Sequence, residues 1–356
     1  MVVIRPITLE DLAAIEALTD FTGFGLTTLP KDEKLLRRRI RDSQRGFEKL
    51  SDKDPPGGET YLFVMQDLES GQVVGTCGIV SKVGGFEPFY AYRVETSIVE
   101  SKQLNVRKEI RMLHLVEQHD GPCEIGSLFL TPDHRKDNNG RLLSLSRFLF
   151  MAEHIEYFDP IVIAEMRGVV DDHGHSPFWD AIGHHFFDID FPKADYLSMV
   201  NKKFIADLMP KNPLYIPLLP KEARHVIGQV HPETAPALKM LEDESFKLCG
   251  MVDIFEAGPV VRCPLKEIRS IRQSTRGVVE TITATPPQGD LAICANTRQD
   301  FRACKGTVEI SPTGGLHISS DVAGALQVAM GDMIRFVAAR PNNTETDLSH
   351  DAPSSI

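Results

Sequence analysis

Residues 124–148 read EIGSLFLTPDHRKDNNGRLLSLSRF, and this stretch decides the fold. The apolar run Ile125, Leu128, Phe129 and Leu130 predicts a strand that stops at Thr131-Pro132. After a polar turn, Leu142, Leu145, Leu149 and Ala152 recur at helical spacing from about Gly140 onward. A strand that turns straight into a helix leaves the first N–H groups of that helix without acceptors, at the positive end of its dipole. Such a corner suits a phosphate or diphosphate. Arg135, Lys136 and Arg141 bring mobile positive charge to it. The turn has neither the GK[ST] of a nucleoside-triphosphate loop nor the three glycines of a dinucleotide fingerprint, which disfavours both ligands.

At 356 residues the chain is long enough for two or three compact units, and 42% hydrophobic residues supply a full core. No apolar run reaches the length of a membrane span, and MVVIRPITLEDL lacks a basic region followed by an apolar one. Cys77, Cys123, Cys249, Cys263, Cys294 and Cys304 lie far apart with no CxxC pair, which points to reduced thiols in a cytoplasm rather than a disulfide frame or zinc site. A net charge of −11 argues against nucleic acid and is compatible with a cationic substrate.

Outward from the central stretch, VVIRP reads as a strand and TLEDLAAIEALTD as a helix capped by Thr8 with Asp11, burying Leu12, Ile15 and Leu18. Residues 31–50 predict a charged helix with Leu35, Leu36, Ile40 and Phe47 inward and Arg37-Arg38-Arg39 on a solvated face. KDPPGGE is a loop, TYLFVMQDL and QVVGTCGIV pair as a hairpin, and MLHLVEQ leads through His119-Asp120-Gly121-Pro122 into the central strand. PIVIAEM is a buried strand. SPFWDAIGHHFFDIDF predicts a short helix turning through Gly183 into a second aromatic strand, and APALKMLEDESFKLCGMVDIF repeats helix, Phe, strand, as if from a partial duplication. KNPLYIPLLP reads as a rigid connector or edge strand. The blocks expected are 1–200, 201–277, a small β unit at 278–340 with a helical turn in DVAGALQVAMGD, and a disordered tail at 341–356.

The central turn resembles the coenzyme A loop of acyl-CoA N-acyltransferases, with Arg135, Asn138 and Gly140 at its three marked places. Asn138 stands where that family usually has glycine, and asparagine tolerates the left-handed conformation next best. Longer stretches resemble the bacterial arginine N-succinyltransferase family: IRPITLEDLAAI, TGFGLTTLPKD, SPFWDAIGHHFFDIDF, IGQVHPETAPALKML and MVDIFEAGP, in order from residue 1 to about 340. Segment 94–114 is less like that family than its surroundings. The resemblance implies an α+β, GNAT-like fold: a mixed, mainly antiparallel sheet flanked by helices, with extra C-terminal structure. It implies succinyl transfer from succinyl-CoA, as substrate rather than bound cofactor, to the α-amine of L-arginine or ornithine. It also implies a homo-oligomer or an assembly with a paralogous subunit. Another acyl-CoA N-acyltransferase and a non-catalytic partner subunit are the alternative readings.

Acyl transfer from a thioester needs a deprotonated amine, a stabilised oxyanion and a proton for the thiolate. Main-chain groups from Leu128 to Leu130 are expected to hold the thioester carbonyl, with Arg135, Lys136, Asn138, Asn139, Gly140 and Arg141 around the coenzyme. On its own, His231 before Pro232 reads as a helix start. The resemblance gives it the proton-transfer role, as acid or as base. Glu165 and Arg167 either face the cleft as acceptor-binding groups or pair with one another. A metal at Asp171, Asp172, His173 and His175 is not expected, His184-His185 are divided between surface and packing, and Cys77 and Cys123 are not expected to carry the acyl group.

Overall fold

Val2, Val3 and Ile4 of the first strand, β1 (Val2–Pro6), are all buried, so the chain begins inside a sheet rather than at its margin. The structure is a computed structural model that describes residues 1–21, 29–50 and 57–341. The segment TGFGLTT, most of the loop KDPPGGE and the tail from 342 onward lie outside the described residues. Thr8 caps the next segment, its N–H and hydroxyl donating to Asp11 Oδ2 at 2.8 and 3.2 Å, and a short 3-10 turn leads into α1 (Leu12–Thr19). Leu12, Ile15 and Leu18 are buried, and so are Leu36 and Ile40 of α2 (Glu33–Lys49). Arg39 departs from the solvated face expected of it. Three residues after Leu36 and four before Ser43, it borders the buried stripe, and its Nε is enclosed without an acceptor.

β2 (Thr60–Asp67) and β3 (Val73–Val80) form the expected hairpin. A longer one follows, β4 (Phe89–Ser101) with β5 (Val106–Gln118). Of this hairpin only MLHLVEQ, the inner half of β5, was expected; β4 was missed, although its first four residues are buried, and the outer residues of both strands are mostly exposed. β6 (Cys123–Leu130), α3 (Asn139–Glu153) and β7 (Ile161–Glu165) then realise the central strand–turn–helix and the buried strand after it. Eleven of the fifteen residues of α3 are buried, including Leu143, Ser144 and Arg147 outside the expected stripe. The helix is enclosed on more than one face, and Arg147 satisfies itself on the Ser144 and Gly126 carbonyls and the Ser144 hydroxyl.

The next region corrects one expectation. SPFWDAIGHHFFDIDF contains no strand: it forms α4 (Pro177–Ala181), α5 (Gly183–Phe187) and the start of α6 (Phe191–Val200). Asp188 is left-handed and ends α5, while Asp190 caps α6 by accepting from the Lys193 N–H at 3.0 Å. Gly183 is obligatory because a Cβ there would lie 2.2 Å from the Trp179 ring. The proposed repeat therefore lacks its strand in the first copy. α7 (Lys203–Leu208) leads to β8 (Leu214–Tyr215), a short edge strand on β5, and α8 (Lys221–Val226) follows. The second stretch keeps helix, Phe, strand as α9 (Ala235–Asp243) and β9 (Lys247–Val252), then β10 (Pro259–Pro264) and α10 (Arg269–Gln273).

The C-terminal part holds β11 (Thr275–Thr283), β12 (Leu291–Asn296), β13 (Ala303–Thr307), β14 (Glu309–Ile310), β15 (Leu316–Ser319), α11 (Ser320–Leu326) and β16 (Met333–Ala338). Its own core centres on Cys294, Ile318 and Leu326. It is continuous with the rest, because β13 pairs with β1 at Ala303 and Ile4. The sheet order is β14-β15-β11-β16-β12-β13-β1-β2-β3-β6-β7-β10-β9-β4-β5-β8. Among the described residues, only β6–β7 and β11–β15 are parallel. This is the mixed, mainly antiparallel α+β architecture expected.

Candidate active site

β6 and β7 pair only at their starts, Cys123 with Val162 and Glu124 with Ile163. Beyond Glu124, β6 stays with β3 and β7 stays with β10, so the two parallel strands part. A bulge bends β6 at the parting: Ser127 has φ 52°, the β3 register shifts between Thr76 and Gly78, and the Thr76 hydroxyl donates to the Ser127 carbonyl at 2.8 Å. At Gly126 a Cβ would meet no atom within 4 Å, so the space beside the strand is open. Leu128 follows the bulge half-buried and Leu130 is buried; both side chains belong to the core, leaving only main chain for chemistry.

At the end of β6 the turn is tightly folded. The Arg135 side chain doubles back, its Nε donating to the Leu130 carbonyl at 3.0 Å. Asp137 and Asn138 are both left-handed, and Asn138 caps α3 in that conformation. The first helical bond runs from the Leu142 N–H to the Asn138 carbonyl. Among the described residues, the N–H groups of Asp137, Asn138, Gly140 and Arg141 have no backbone acceptor, and a Cβ at Gly140 would meet open space. Lys136 is exposed, whereas Asn139 is buried and donates to the His134 carbonyl at 3.1 Å. Arg141 is not the mobile cation expected: its Nη2 holds Asp243 of α9 at 2.8 Å.

His231 reaches the same region from the other side. Its N–H donates to the Arg167 carbonyl, two residues past the end of β7, at 2.8 Å. The ring is half-buried and its Nδ1 accepts from the Glu233 N–H at 3.2 Å, so the neutral ring carries its proton on Nε2. Burial first, then the Arg167 guanidinium, hold the imidazole below the usual histidine range. Arg167 and Glu165 do not pair with one another among the described residues. Arg167 Nη1 lies 3.8 Å from Glu233, and its Nε is enclosed without an acceptor.

Glu165 belongs instead to a group of carboxylates that sequence reasoning missed. Glu124 lies opposite Ile163 and Glu165 follows two residues on, so both leave one face of the sheet, opposite the α3 side taken by Cys123, Ile125, Val162 and Ala164. From the turn between β9 and β10 come Asp253, which accepts from the Phe255 and Glu256 N–H groups at 2.7 and 2.8 Å, and Glu256. Glu256 Oε1 accepts from the Gly168 N–H at 2.7 Å, while its Oε2 is buried without a partner. Burial, then repulsion from Glu124, Asp253 and Glu256, pushes the Glu165 carboxyl well above its usual range; Lys202 opposes that shift. Glu256 is pushed well above as well, by burial and then by Asp253. Glu124 and Asp253 are raised chiefly by burial, with Lys202 again opposing. None of this was legible, because each acid sits in an otherwise ordinary strand or turn and only long-range pairing gathers them.

The remaining candidates add no chemistry to the cleft. Asp171 accepts from the N–H groups of His173 and His175 as a turn cap, and among the described residues no three His, Cys, Asp or Glu form a metal-ligand group. His184 and His185 are both exposed rather than divided between surface and core. Burial pushes the Cys77 thiol up to about 11 and the Cys123 thiol well above its usual range, so neither is a ready nucleophile.

A tight turn with unbonded N–H groups at a helix start and a bulged strand parting from its parallel neighbour, within a mainly antiparallel sheet, are the fold of the acyl-CoA N-acyltransferase class. The chain belongs to the arginine N-succinyltransferase family. The family described as "Arginine N-succinyltransferase beta subunit" matches residues 2–270, and its C-terminal domain matches residues 275–338. The chain is 43% identical over 340 residues to the arginine N-succinyltransferase of Salmonella schwarzengrund, covering 95% of this chain and 97% of the relative. It is equally similar to the protein of that name from Escherichia coli K12. The solved structure of arginine/ornithine succinyltransferase subunit AI from Pseudomonas aeruginosa superposes with a TM-score of 0.87 at 34% identity, covering 96% of this chain and 99% of that one. No helix among the described residues is long and apolar enough to cross a membrane.

Proposed function

We propose that this chain is an arginine N-succinyltransferase, moving the succinyl group of succinyl-CoA to the α-amine of L-arginine in arginine breakdown. The observation that carries the reading is the gap between β6 and β7. On one side stands a turn with four unbonded N–H groups, on the other a group of carboxylates facing Lys202. Arginine brings two cationic groups and one carboxylate, and a group of four acids with Lys202, Arg39 and Arg167 at its margins offers partners of both signs. Glu165 is the acceptor-side anchor, Arg167 borders His231, and the coenzyme diphosphate lies on the N–H groups of Asn138, Gly140 and Arg141 with Arg135 and Lys136 beside it.

The amine nitrogen attacks the thioester carbon, whose oxygen gathers charge against main-chain N–H groups of β6 between Leu128 and Leu130. The C–S bond then breaks. One amine proton must leave and one must reach the sulfur, and His231 carries it, first as base and then as acid. A neutral ring at pH 7, which its lowered pKa provides, is the form that can start this cycle. In this reading residues 1–200 hold the acyl-CoA site, 201–277 bring His231 to it, and 278–340 form the β unit behind the turn. Succinyl-CoA is a substrate, no cofactor is tightly held, and the enzyme works in the cytoplasm as a homo-oligomer or with a paralogous subunit. Ornithine is the second acceptor to test, since the Pseudomonas relative is described as acting on both.

Thiol release measured with succinyl-CoA and acetyl-CoA against arginine, ornithine, lysine and neutral amino acids tests the proposal, on the chain alone and with a paralogous subunit. Highest kcat/KM for succinyl-CoA with arginine is expected. Preference for acetyl-CoA or for a neutral amine overturns it.

A further inference from the structure

We infer that Lys305, in the C-terminal β unit, is a positioning residue for the coenzyme: it holds the turn at 137–139 in its diphosphate-binding shape. The inference rests on the coenzyme reading of that turn given above. Asp137 and Asn138 are consecutive residues with φ of 51° and 58°, a conformation that asparagine and aspartate tolerate better than other side chains but less readily than glycine. Within the turn the Asn139 N–H donates to the Lys136 carbonyl at 2.9 Å, but the Asn138 side chain makes no capping bond to α3. Further support comes from β13 and from the residues that follow β16. Lys305 Nζ donates to the Asp137 carbonyl and, at 2.7 Å, to Asn139 Oδ1. Arg340 donates to Asn138 Oδ1 at 3.1 Å.

The bond to Asp137 has a directional consequence. The Asp137 carbonyl and the Asn138 N–H share one planar trans peptide and point opposite ways. An ammonium that fixes the carbonyl toward β13 turns that N–H away from β13 and leaves it unbonded, with those of Gly140 and Arg141. Its charge also raises the potential beneath an anion. Lys305 is itself held firmly. β13 is paired on both sides, by β12 and β1, and Arg276 and Arg335 of the same unit hold Glu153 at the far end of α3. The C-terminal unit thus grips the coenzyme helix at both ends, and no local pattern in the turn reveals it.

Calorimetric titration of CoA into the full chain tests this. Lys305→Met is expected to raise the Kd for CoA about tenfold, with a parallel rise in KM for the acyl-CoA and less than about twofold change in KM for the amino acid. Adding Asn138→Gly to Lys305→Met recovers most of the loss, because glycine keeps a positive φ without help. A Kd within twofold of wild type in Lys305→Met overturns the inference alone. If that variant does not fold, Lys305→Arg decides: a rise of about threefold or more sustains the inference and an unchanged Kd overturns it. A wild-type chain that binds no CoA overturns the coenzyme reading of the turn itself.

Discussion

The N–H of His231 donates to the carbonyl of Arg167 at 2.8 Å, and that bond fastens the loop bearing the imidazole to the continuation of β7. Glu165 closes β7 two residues earlier, so the proposed proton carrier and the proposed acceptor-side acid are set on one track. Gly168 and Gly258 make the track possible: a Cβ on Gly258 would lie 1.9 Å from the Met166 carbonyl, and one on Gly168 2.4 Å from the Glu256 carbonyl.

His231→Ala is expected to lower kcat by about 10²- to 10⁴-fold while CoA affinity and melting temperature stay near wild type. Thiol-release kinetics beside calorimetry measure both. An unchanged kcat would remove His231 from the chemistry.

The acid-side inflection of kcat/KM that belongs to His231 is expected below about pH 6.5, since burial and Arg167 both lower its pKa. Arg167→Met removes the second of these and leaves the first. The inflection should therefore move upward, and a downward shift in a pH–rate profile would contradict this assignment.

Glu165→Gln should act in opposite directions on binding and on stability. Losing a charged partner for the acceptor raises KM for arginine about 10- to 100-fold, with KM for the acyl-CoA unchanged. A carboxyl whose folded pKa is raised binds more protons native than unfolded, so it costs stability once pH exceeds its unfolded value near 4.3. Removing that charge should raise the melting temperature of the free enzyme at pH 7. Calorimetric scans of the two proteins, with and without arginine, check the sign.

Much of this was written plainly in the sequence. Thr8 with Asp11, the apolar strand at 124–130 and the helix after it depend on neighbours within a few residues, and local pattern reports them. FFDIDF misled because three phenylalanines and an isoleucine fit a strand, whereas Trp179 stacks on Phe187 and donates from Nε1 to the Ile189 carbonyl at 2.9 Å, which keeps that segment helical and turned. The carboxylate group was hidden for a different reason. Glu124, Glu165, Asp253 and Glu256 come from two strands and a turn, and only the pairing of β6 with β7 and of β7 with β10 brings them together. Arg141 likewise looked free until α9 placed Asp243 against it.

Glu244→Gln should cost about 3–5 kcal/mol of stability, because Glu244 is fully buried and pairs with Arg269 at 2.6 Å while its other oxygen accepts from the Ser270 N–H at 2.7 Å. The neutral amide leaves an uncompensated guanidinium in the interior. Urea unfolding followed by circular dichroism measures the loss, and a change below about 1 kcal/mol would mean that the pair is dispensable.

A crystal structure of the chain with CoA and arginine both bound tests the central claim most directly. The account predicts the diphosphate on the N–H groups of Asn138, Gly140 and Arg141, the thiol in the gap between β6 and β7, and the guanidinium against Glu124 or Glu165. A diphosphate bound away from that turn, or an arginine whose side chain avoids those acids, would contradict it.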